Sequence, residues 1–153
     1  MTRYFEDLEV GETFEVGSYT VTKAEIVEFA EQFDPQPFHL DEEAAQSSVF
    51  GELVASGLHT LCLSVRLFVT EFVNPEDGLA NMAGLGMDEL RWHQPVTPGE
   101  TLRLRIEVLE KSPSESRSDR GYVDFRRSVW NNDDEELLSI VSHNVVRRRD
   151  ATQ

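Results

Sequence analysis

One segment, Leu53 to Val73, constrains the fold of this chain more than any other feature of its sequence. From about Gly57 to Phe72 the segment predicts a helix, because its apolar residues recur at helical spacing. They form one stripe, which consists of Leu58, Leu61, Cys62, Val65, Phe68, Val69 and Phe72, with Leu63 and Leu67 beside it. A helix that is apolar on more than one side must be enclosed by other structure. We therefore expect a central helix in which Cys62, the single cysteine, is a buried small hydrophobe and not a reactive thiol.

The same segment does not predict a membrane span. Polar and charged residues such as Ser64, Arg66 and Glu71 interrupt it too often for the hydrocarbon core of a bilayer. The N-terminal residues, MTRYFEDLEVGE, contain no apolar core of signal-peptide length. The sequence therefore predicts a cytoplasmic protein that does not enter membranes.

The second half of the chain alternates apolar and polar residues, which is typical of strands with one wet face. The clearest example follows Pro98-Gly99, a pair that suits a type II turn. Its apolar residues are Leu102, Leu104, Ile106 and Val108, and the pattern returns at Val123, Phe125 and Val129. Further strands are predicted between residues 83 and 92 and between 138 and 146.

The first forty residues add a strand-like alternation from Phe14 to Val21 and then a helix. Thr22 and Glu25 have the spacing of a capping box, and Pro35 ends the helix because the residue before a proline avoids the α conformation. Together these elements predict an α+β fold, in which an antiparallel sheet of about five strands wraps around one long helix. Its length of 153 residues fits a single domain over 1–153.

The charge of the chain restricts its partners. Twenty-nine acidic residues stand against fourteen basic ones, which gives a net charge of −15. Such an excess repels nucleic acid and anionic membranes, so neither is expected as a partner. Only Lys23 and Lys111 are lysines, and an acidic, lysine-poor chain resembles the proteins of halophiles, although an ordinary acidic bacterial protein has the same features.

The segment Asp34-Pro35-Gln36-Pro37-Phe38-His39-Leu40-Asp41 holds the best candidates for chemistry. A carboxylate and an imidazole stand five residues apart on a loop that two prolines stiffen. Such a pair can hold one water, with one group taking a proton and the other delivering one. The structural alternative is that Asp34 tightens a turn while His39 makes an ordinary hydrogen bond.

The pattern Asp-x-x-Pro-x-His-x-Asp resembles the signature of the MaoC-like dehydratases, which include the (R)-specific enoyl-CoA hydratases. The context is similar as well: an amphipathic helix precedes the motif, and Phe50-Gly51 and Val54-Ala55-Ser56-Gly57-Leu58 follow it before the long helix. Trp92-His93-Gln94-Pro95-Val96 and Pro98 to Leu102 extend the likeness. The resembling elements run from about Tyr4 to Val146.

The resemblance implies a hotdog fold and the reversible addition of water to the double bond of a 2-enoyl-CoA thioester. Asp34 and His39 correspond to the catalytic pair of the family, and Gly57 to the glycine whose backbone N–H stabilises the thioester oxyanion. Ser56, Phe38 and His59 are expected near the substrate, although His59 is also explained as a core or interface histidine. The resemblance implies a homodimer with CoA near its interface and no metal or redox cofactor, and the spacing of the four histidines is not that of a zinc site.

Two departures from the family pattern concern the substrate range. Many hydratases have histidine where this chain has Ser56, and asparagine where it has Gln36. Two other functions stay open: a hotdog thioesterase, for which the long helix offers only Glu71 as a carboxylate, and a non-catalytic subunit that binds an acyl group. His93 and His143 are interpreted as structural.

Overall fold

The computed structural model describes residues 1–149. After a short 3-10 turn at Phe5–Asp7, a first strand leads into three helices, a long fourth helix and four more strands. In chain order the elements are β1 (Thr13–Thr20), α1 (Lys23–Phe33), α2 (Pro37–Leu40), α3 (Glu42–Gln46), α4 (Gly57–Leu67), β2 (Asn81–Trp92), β3 (Thr101–Pro113), β4 (Arg120–Trp130) and β5 (Glu136–Arg147). A π-helical segment, Phe68–Val73, continues α4.

The five strands form one antiparallel sheet in the order β1-β3-β4-β5-β2. The apolar residues of the alternating strand after Pro98-Gly99 are fully buried, as the pattern predicts. Phe68 and Phe72, at the end of the long helix, pack edge-on against Phe125 of β4 with ring centroids 5.7 and 6.2 Å apart. The sheet therefore wraps around the helix, and the predicted α+β hotdog fold is confirmed.

Side-chain caps mark where α1 and α3 begin. The hydroxyl of Thr22 accepts a hydrogen bond from the Glu25 N–H, and the Glu25 carboxylate accepts one from the Thr22 N–H, which completes the predicted capping box. Asp41 caps α3 in the same way, through the N–H groups of Glu43 and Ala44. Because α1 ends at Asp34 and Asp41 begins α3, the Asp34–Asp41 segment connects these two helices.

The buried side of α4 differs from the predicted stripe. Cys62 is exposed, and Leu58 is 45% exposed, whereas the buried residues of the helix include His59, Thr60 and Ser64. The prediction was wrong because it used apolarity alone. Short polar side chains can lie on the inner side of a helix when they bond to a nearby carbonyl, as Ser64 does to the carbonyl of Leu61. A second, partly apolar side of α4 is left open to solvent.

Within residues 1–149 no helix combines the length and the apolar character that crossing a membrane requires.

Candidate active site

Asp34 and His39 are placed by the end of α1 and the short helix that follows it. The Asp34 N–H bonds to the carbonyl of Ala30 at 2.9 Å, which makes Asp34 the last residue held by α1. Pro37 then begins α2, where its fixed φ suits the first helical position. Two residues later, this places the buried His39 side chain beside the Asp34 carboxylate.

The orientation of the His39 ring follows from its backbone partner. Its Nδ1 lies 2.7 Å from the carbonyl oxygen of Val54, which can only accept a hydrogen bond. Nδ1 therefore carries the proton, and in the neutral imidazole Nε2 has the free lone pair. That Nε2 is 3.4 Å from Oδ2 of Asp34, a separation longer than a good hydrogen bond. The two groups face each other without a close bond, so both are free to contact one water.

The Asp34 carboxylate has a donor on each oxygen. Ser56 Oγ donates to Oδ2 and Gln36 Nε2 donates to Oδ1, both at 2.7 Å. The bond from Ser56 is the main reason that the pKa of Asp34 lies below its usual range, although burial acts in the opposite direction; the Gln36 bond and the nearby His39 lower it further. Asp34 is therefore ionised at neutral pH.

Helix α4 begins next to this carboxylate. Ser56 is its N-cap, and its hydroxyl accepts a hydrogen bond from the Leu58 N–H at 3.2 Å while it donates to Asp34. Among residues 1–149, no acceptor pairs with the N–H of Gly57. A free N–H at the positive end of a helix dipole is a good partner for a negatively charged oxygen.

Trp92, the last residue of β2, covers the start of this helix. Its indole Nε1 donates to the carbonyl of Gly57 at 2.7 Å. A Cβ atom added at Gly57 would meet the indole at 2.5 Å, so only glycine fits beneath the ring.

One cavity of about 480 Å³ joins these groups. Its polar part is formed by the Asp34–His39 pair and the start of α4, and its apolar part by aromatic and aliphatic side chains. Phe38, for example, lies edge-on against the His39 ring with centroids 4.5 Å apart. The lining residues are Asp34, Gln36, Phe38, His39, Phe50, Val54, Ala55, Ser56, Gly57, Leu58, Thr60, Trp92, His93, Gln94 and Pro95.

Five of the six site residues predicted from the sequence line this cavity, namely Asp34, His39, Gly57, Ser56 and Phe38. His59 does not, and its predicted position next to the substrate requires correction. Its ring stacks on Phe29 with centroids 4.7 Å apart, and burial lowers the pKa of the imidazole. The His59 side chain therefore packs against α1 and does not reach the cavity.

Three further residues line the cavity although the sequence patterns did not predict them there: Thr60, Trp92 and His93. His93, interpreted as structural, does hydrogen-bond to Ser139 through Nε2 at 2.8 Å, but it also borders the cavity. For Trp92 and His93 the sequence does contain a signal, because the segment from Trp92 to Pro95 resembles the sequence of the family. This segment lies beside α4 because β2 pairs with β5, and a local sequence pattern does not predict which strands pair.

The arrangement combines a carboxylate, a basic imidazole nitrogen and a free backbone donor around one partly apolar cavity. Such a site can hold water between the two side chains and place a carbonyl oxygen at the helix start. It is suited to proton transfer next to a polarised carbonyl group.

Comparisons with known proteins agree with this description. The family model described as "MaoC like domain" matches residues 7–126. A solved structure of a MaoC-like dehydratase from Rhodospirillum rubrum superimposes with a TM-score of 0.87 at 42% identity, over 96% of this chain and 98% of that one. The 3-hydroxybutyryl-CoA dehydratase of Methylorubrum extorquens is 34% identical over 116 residues, which is 75% of this chain and 69% of that protein. The R-hydratase PhaJ1 from Pseudomonas aeruginosa has a TM-score of 0.74 at 25% identity, over 95% of this chain and 86% of that one.

Proposed function

Because the chain belongs to the MaoC-like domain family, we propose that it is an acyl-CoA hydratase or dehydratase that adds water reversibly to a 2-enoyl-CoA thioester. The observation that carries the proposal is the placement of Asp34, His39 and the free Gly57 N–H around one cavity. Relatives named as a 3-hydroxybutyryl-CoA dehydratase and an R-hydratase support this class of reaction.

The hydrogen bonds around Asp34 and His39 suggest how they divide the proton transfers. Asp34 accepts two hydrogen bonds and has a lowered pKa, so it is a poor proton donor. In hydration, His39 Nε2 takes a proton from water as the water oxygen bonds to Cβ of the substrate. The imidazolium then delivers a proton to Cα, and the Asp34 carboxylate orients the water and stabilises the imidazolium. Dehydration is the reverse.

The start of α4 would stabilise the charge that develops on the thioester. Addition at Cβ moves electron density onto the carbonyl oxygen, and the Gly57 N–H is the donor for that oxygen. The bond from Trp92 to the Gly57 carbonyl holds the first turn of the helix in place. Because water adds without net oxidation, the proposed reaction requires no redox cofactor, and the proton transfers use side chains in place of a metal.

We also propose that the protein is a homodimer whose subunits meet along β2 and the open side of α4. β2 is a terminal strand of the sheet, so one of its edges lacks a partner strand. Large apolar side chains are exposed along the same side: Leu58 by 45%, Leu85 by 61%, Met87 by 46% and Trp92 by 48%. Exposed apolar side chains beside a free strand edge favour association. In sedimentation velocity we expect the wild type to be a dimer and Leu85→Asp to be a monomer. A monomeric wild type would refute the proposed dimer.

The activity test compares two equivalent substitutions in the same segment. Asp34→Asn should reduce the hydration of crotonyl-CoA by at least about 100-fold, because it removes the charge that orients the water and stabilises the imidazolium. Asp41→Asn is the matched control, since Asp41 caps α3 outside the cavity and asparagine caps equally well. Loss of the enoyl thioester absorbance and mass spectrometry of the product give the rates.

Two results would refute the proposed reaction. Release of free CoA, detected with a thiol reagent, would identify a thioesterase. Binding of acyl-CoA without any turnover would identify a non-catalytic subunit. Glu71, the carboxylate on which a thioesterase of this fold would depend here, is exposed and outside the candidate active site.

A further inference from the structure

Three aromatic rings are stacked beside the candidate active site. Phe33 packs against Phe29 with ring centroids 5.1 Å apart, and Phe29 stacks on His59 with centroids 4.7 Å apart and an angle of 9° between the two planes. Phe33 is 64% exposed and His59 is 6% exposed, so this aromatic stack of Phe33, Phe29 and His59 runs from the surface into the core.

The aromatic stack joins the two helix ends that carry the proposed chemistry. Its two phenylalanines belong to the last turns of α1, and Phe33 directly precedes Asp34. His59 belongs to the first turn of α4, two residues after Gly57, and its N–H bonds to the Ser56 carbonyl at 3.0 Å. The stack therefore spans the same gap as the hydrogen bond from Ser56 to Asp34.

The stack and the hydrogen bond restrict different movements. Within residues 1–149, the bond from Ser56 to Asp34 is the only side-chain hydrogen bond between α1 with its last residue and α4 with its cap. One hydrogen bond fixes the separation of two atoms, but it does not fix the angle between two helices. Stacked rings have a preferred geometry, so they resist sliding and rotation of one helix against the other.

His59 takes part in the stack as a neutral ring. Its Nδ1 is buried and has no hydrogen-bond partner in the part of the chain that the structure describes. Protonation of Nδ1 would bury an N–H group without an acceptor, together with a positive charge. Burial lowers the pKa of His59, although the Glu25 carboxylate acts in the opposite direction. The imidazole is therefore uncharged at neutral pH, with its proton on Nε2.

We propose that His59 is a positioning residue, which acts through the aromatic stack to fix the angle at which the end of α1 meets the start of α4. The inference rests on the proposed function, since the groups that it positions are the Asp34 carboxylate and the Gly57 N–H. The Asp34 N–H bonds to the Ala30 carbonyl at 2.9 Å, so the carboxylate moves with the last turn of α1. A rotation of α1 against α4 would therefore shift the bound water relative to the thioester carbonyl.

The alternative is that His59 only fills space in the core. Both explanations predict that His59→Ala destabilises the protein, so a stability measurement alone does not separate them. They differ at the site. Only a positioning residue changes the hydrogen bond between Ser56 and Asp34 when it is removed, and only a positioning residue can be replaced there by another flat ring.

NMR of the ¹³C-labelled Asp34 carboxyl group tests the proposal without any substrate. The hydrogen bond from Ser56 is the main cause of the lowered pKa of Asp34, so this pKa reports the geometry of that bond. We expect His59→Ala to raise the pKa of Asp34 toward its usual range. His59→Phe retains a flat ring on Phe29 and should keep this pKa close to that of the wild type. Val108→Ala is the matched control, since Val108 is fully buried in β3 and its truncation should lower stability without moving Asp34.

Steady-state kinetics on crotonyl-CoA gives a second measurement. His59→Ala should lower kcat by about tenfold or more with little change in KM, because a displacement of about 1 Å at the reacting groups can cost on the order of 100-fold in rate. His59→Phe should recover most of this loss, and Val108→Ala should keep the kcat of the wild type. Phe29→Ala removes the middle ring, so it should act like His59→Ala, and the double variant should lose little more than either single one.

Three results would overturn the proposal. They are an unchanged pKa of Asp34 in folded His59→Ala, a folded His59→Phe that loses as much kcat as His59→Ala, and losses that add fully in the double variant. If His59→Ala fails to fold by circular dichroism, Phe29→Ala takes its place in both measurements, because the Phe29 ring is only partly buried. A wild type without hydratase activity would refute the proposed function, whereas the NMR comparison would still decide the role of His59.

Discussion

Ser56 donates a 2.7 Å hydrogen bond to Oδ2 of Asp34, and its hydroxyl also caps the helix that begins at Gly57. One side chain therefore connects the carboxylate to the start of α4. Many hydratases of the family have histidine at this position, so the serine is a departure that still reaches the carboxylate. We infer that Ser56 keeps the Asp34 carboxylate ionised and also fixes its distance from the Gly57 N–H.

Ser56→Ala should raise the pKa of Asp34 toward its usual range. The hydrogen bond from Ser56 is the largest effect that lowers this pKa, while burial alone would raise it. The carboxyl carbon of Asp34, followed by ¹³C NMR from pH 2 to 7, reports the change. Ser64→Ala is the control, because Ser64 is a buried serine of the same helix that bonds to the Leu61 carbonyl and lies outside the cavity. An unchanged pKa in Ser56→Ala would contradict the assigned cause.

Gly57→Ala should reduce turnover by moving the Trp92 ring. The new Cβ would approach the indole to 2.5 Å, so either the ring or the first turn of α4 must shift. A displacement of about 1 Å at a reacting centre can cost on the order of 100-fold in rate. Steady-state kinetics on crotonyl-CoA measures the loss, which should fall mainly on kcat.

A double-variant cycle tests whether Trp92 causes that loss. In a Trp92→Ala background the added methyl group has space, so Gly57→Ala should cost much less there than in the wild type. Equal losses in the two backgrounds would mean that the methyl group acts on the substrate directly and not through the indole.

The elements of the fold could be predicted from local patterns, because each pattern reflects one local cause. The alternation from Leu102 to Val108 marks a strand with one wet face, and the Thr22–Glu25 spacing marks a helix start. The Asp34–His39 pair could be predicted for a similar reason, since two prolines and a helix end confine both side chains to one short segment, although His39 lies on the short helix α2 and not on the predicted loop.

The errors concern residues whose environment depends on distant parts of the chain. Which residues of α4 are buried could not be decided by apolarity, since the helix is apolar around most of its circumference and its buried residues include His59 and Thr60. Arg127 was missed although Val123, Phe125 and Val129 alternate on the inner face, so that position 127 falls on the same side. Hydrophobicity alone does not identify a buried arginine.

The stability of the protein should fall as pH rises through the titration of His143. Its Nδ1 lies 2.7 Å from Asp124 and its Nε2 2.6 Å from Asp88, and these bonds, that to Asp124 first, raise the pKa of His143. A raised folded-state pKa gives a contribution that is complete below the unfolded value of about 6.5 and is lost above the folded value.

Urea unfolding at several pH values between 5.5 and 9 measures this contribution against His143→Gln. The difference between the two proteins should decrease with increasing pH, and it should be small in high salt because the cluster is partly exposed. A difference that grows with pH would reverse the assigned sign.

Arg127→Met should stabilise the protein. Methionine has a similar length and flexibility, so it can keep the contact with Phe68 while it removes a buried charge that has no acceptor within residues 1–149. Replacing buried ionic groups by apolar side chains of similar volume is neutral or stabilising by about 1–4 kcal/mol. Urea unfolding should give a higher free energy of unfolding for the Met variant and little change for Arg127→Lys, which keeps the charge. A Met variant that is less stable than the wild type would mean that the guanidinium has a partner in solution, in the fold or across the dimer.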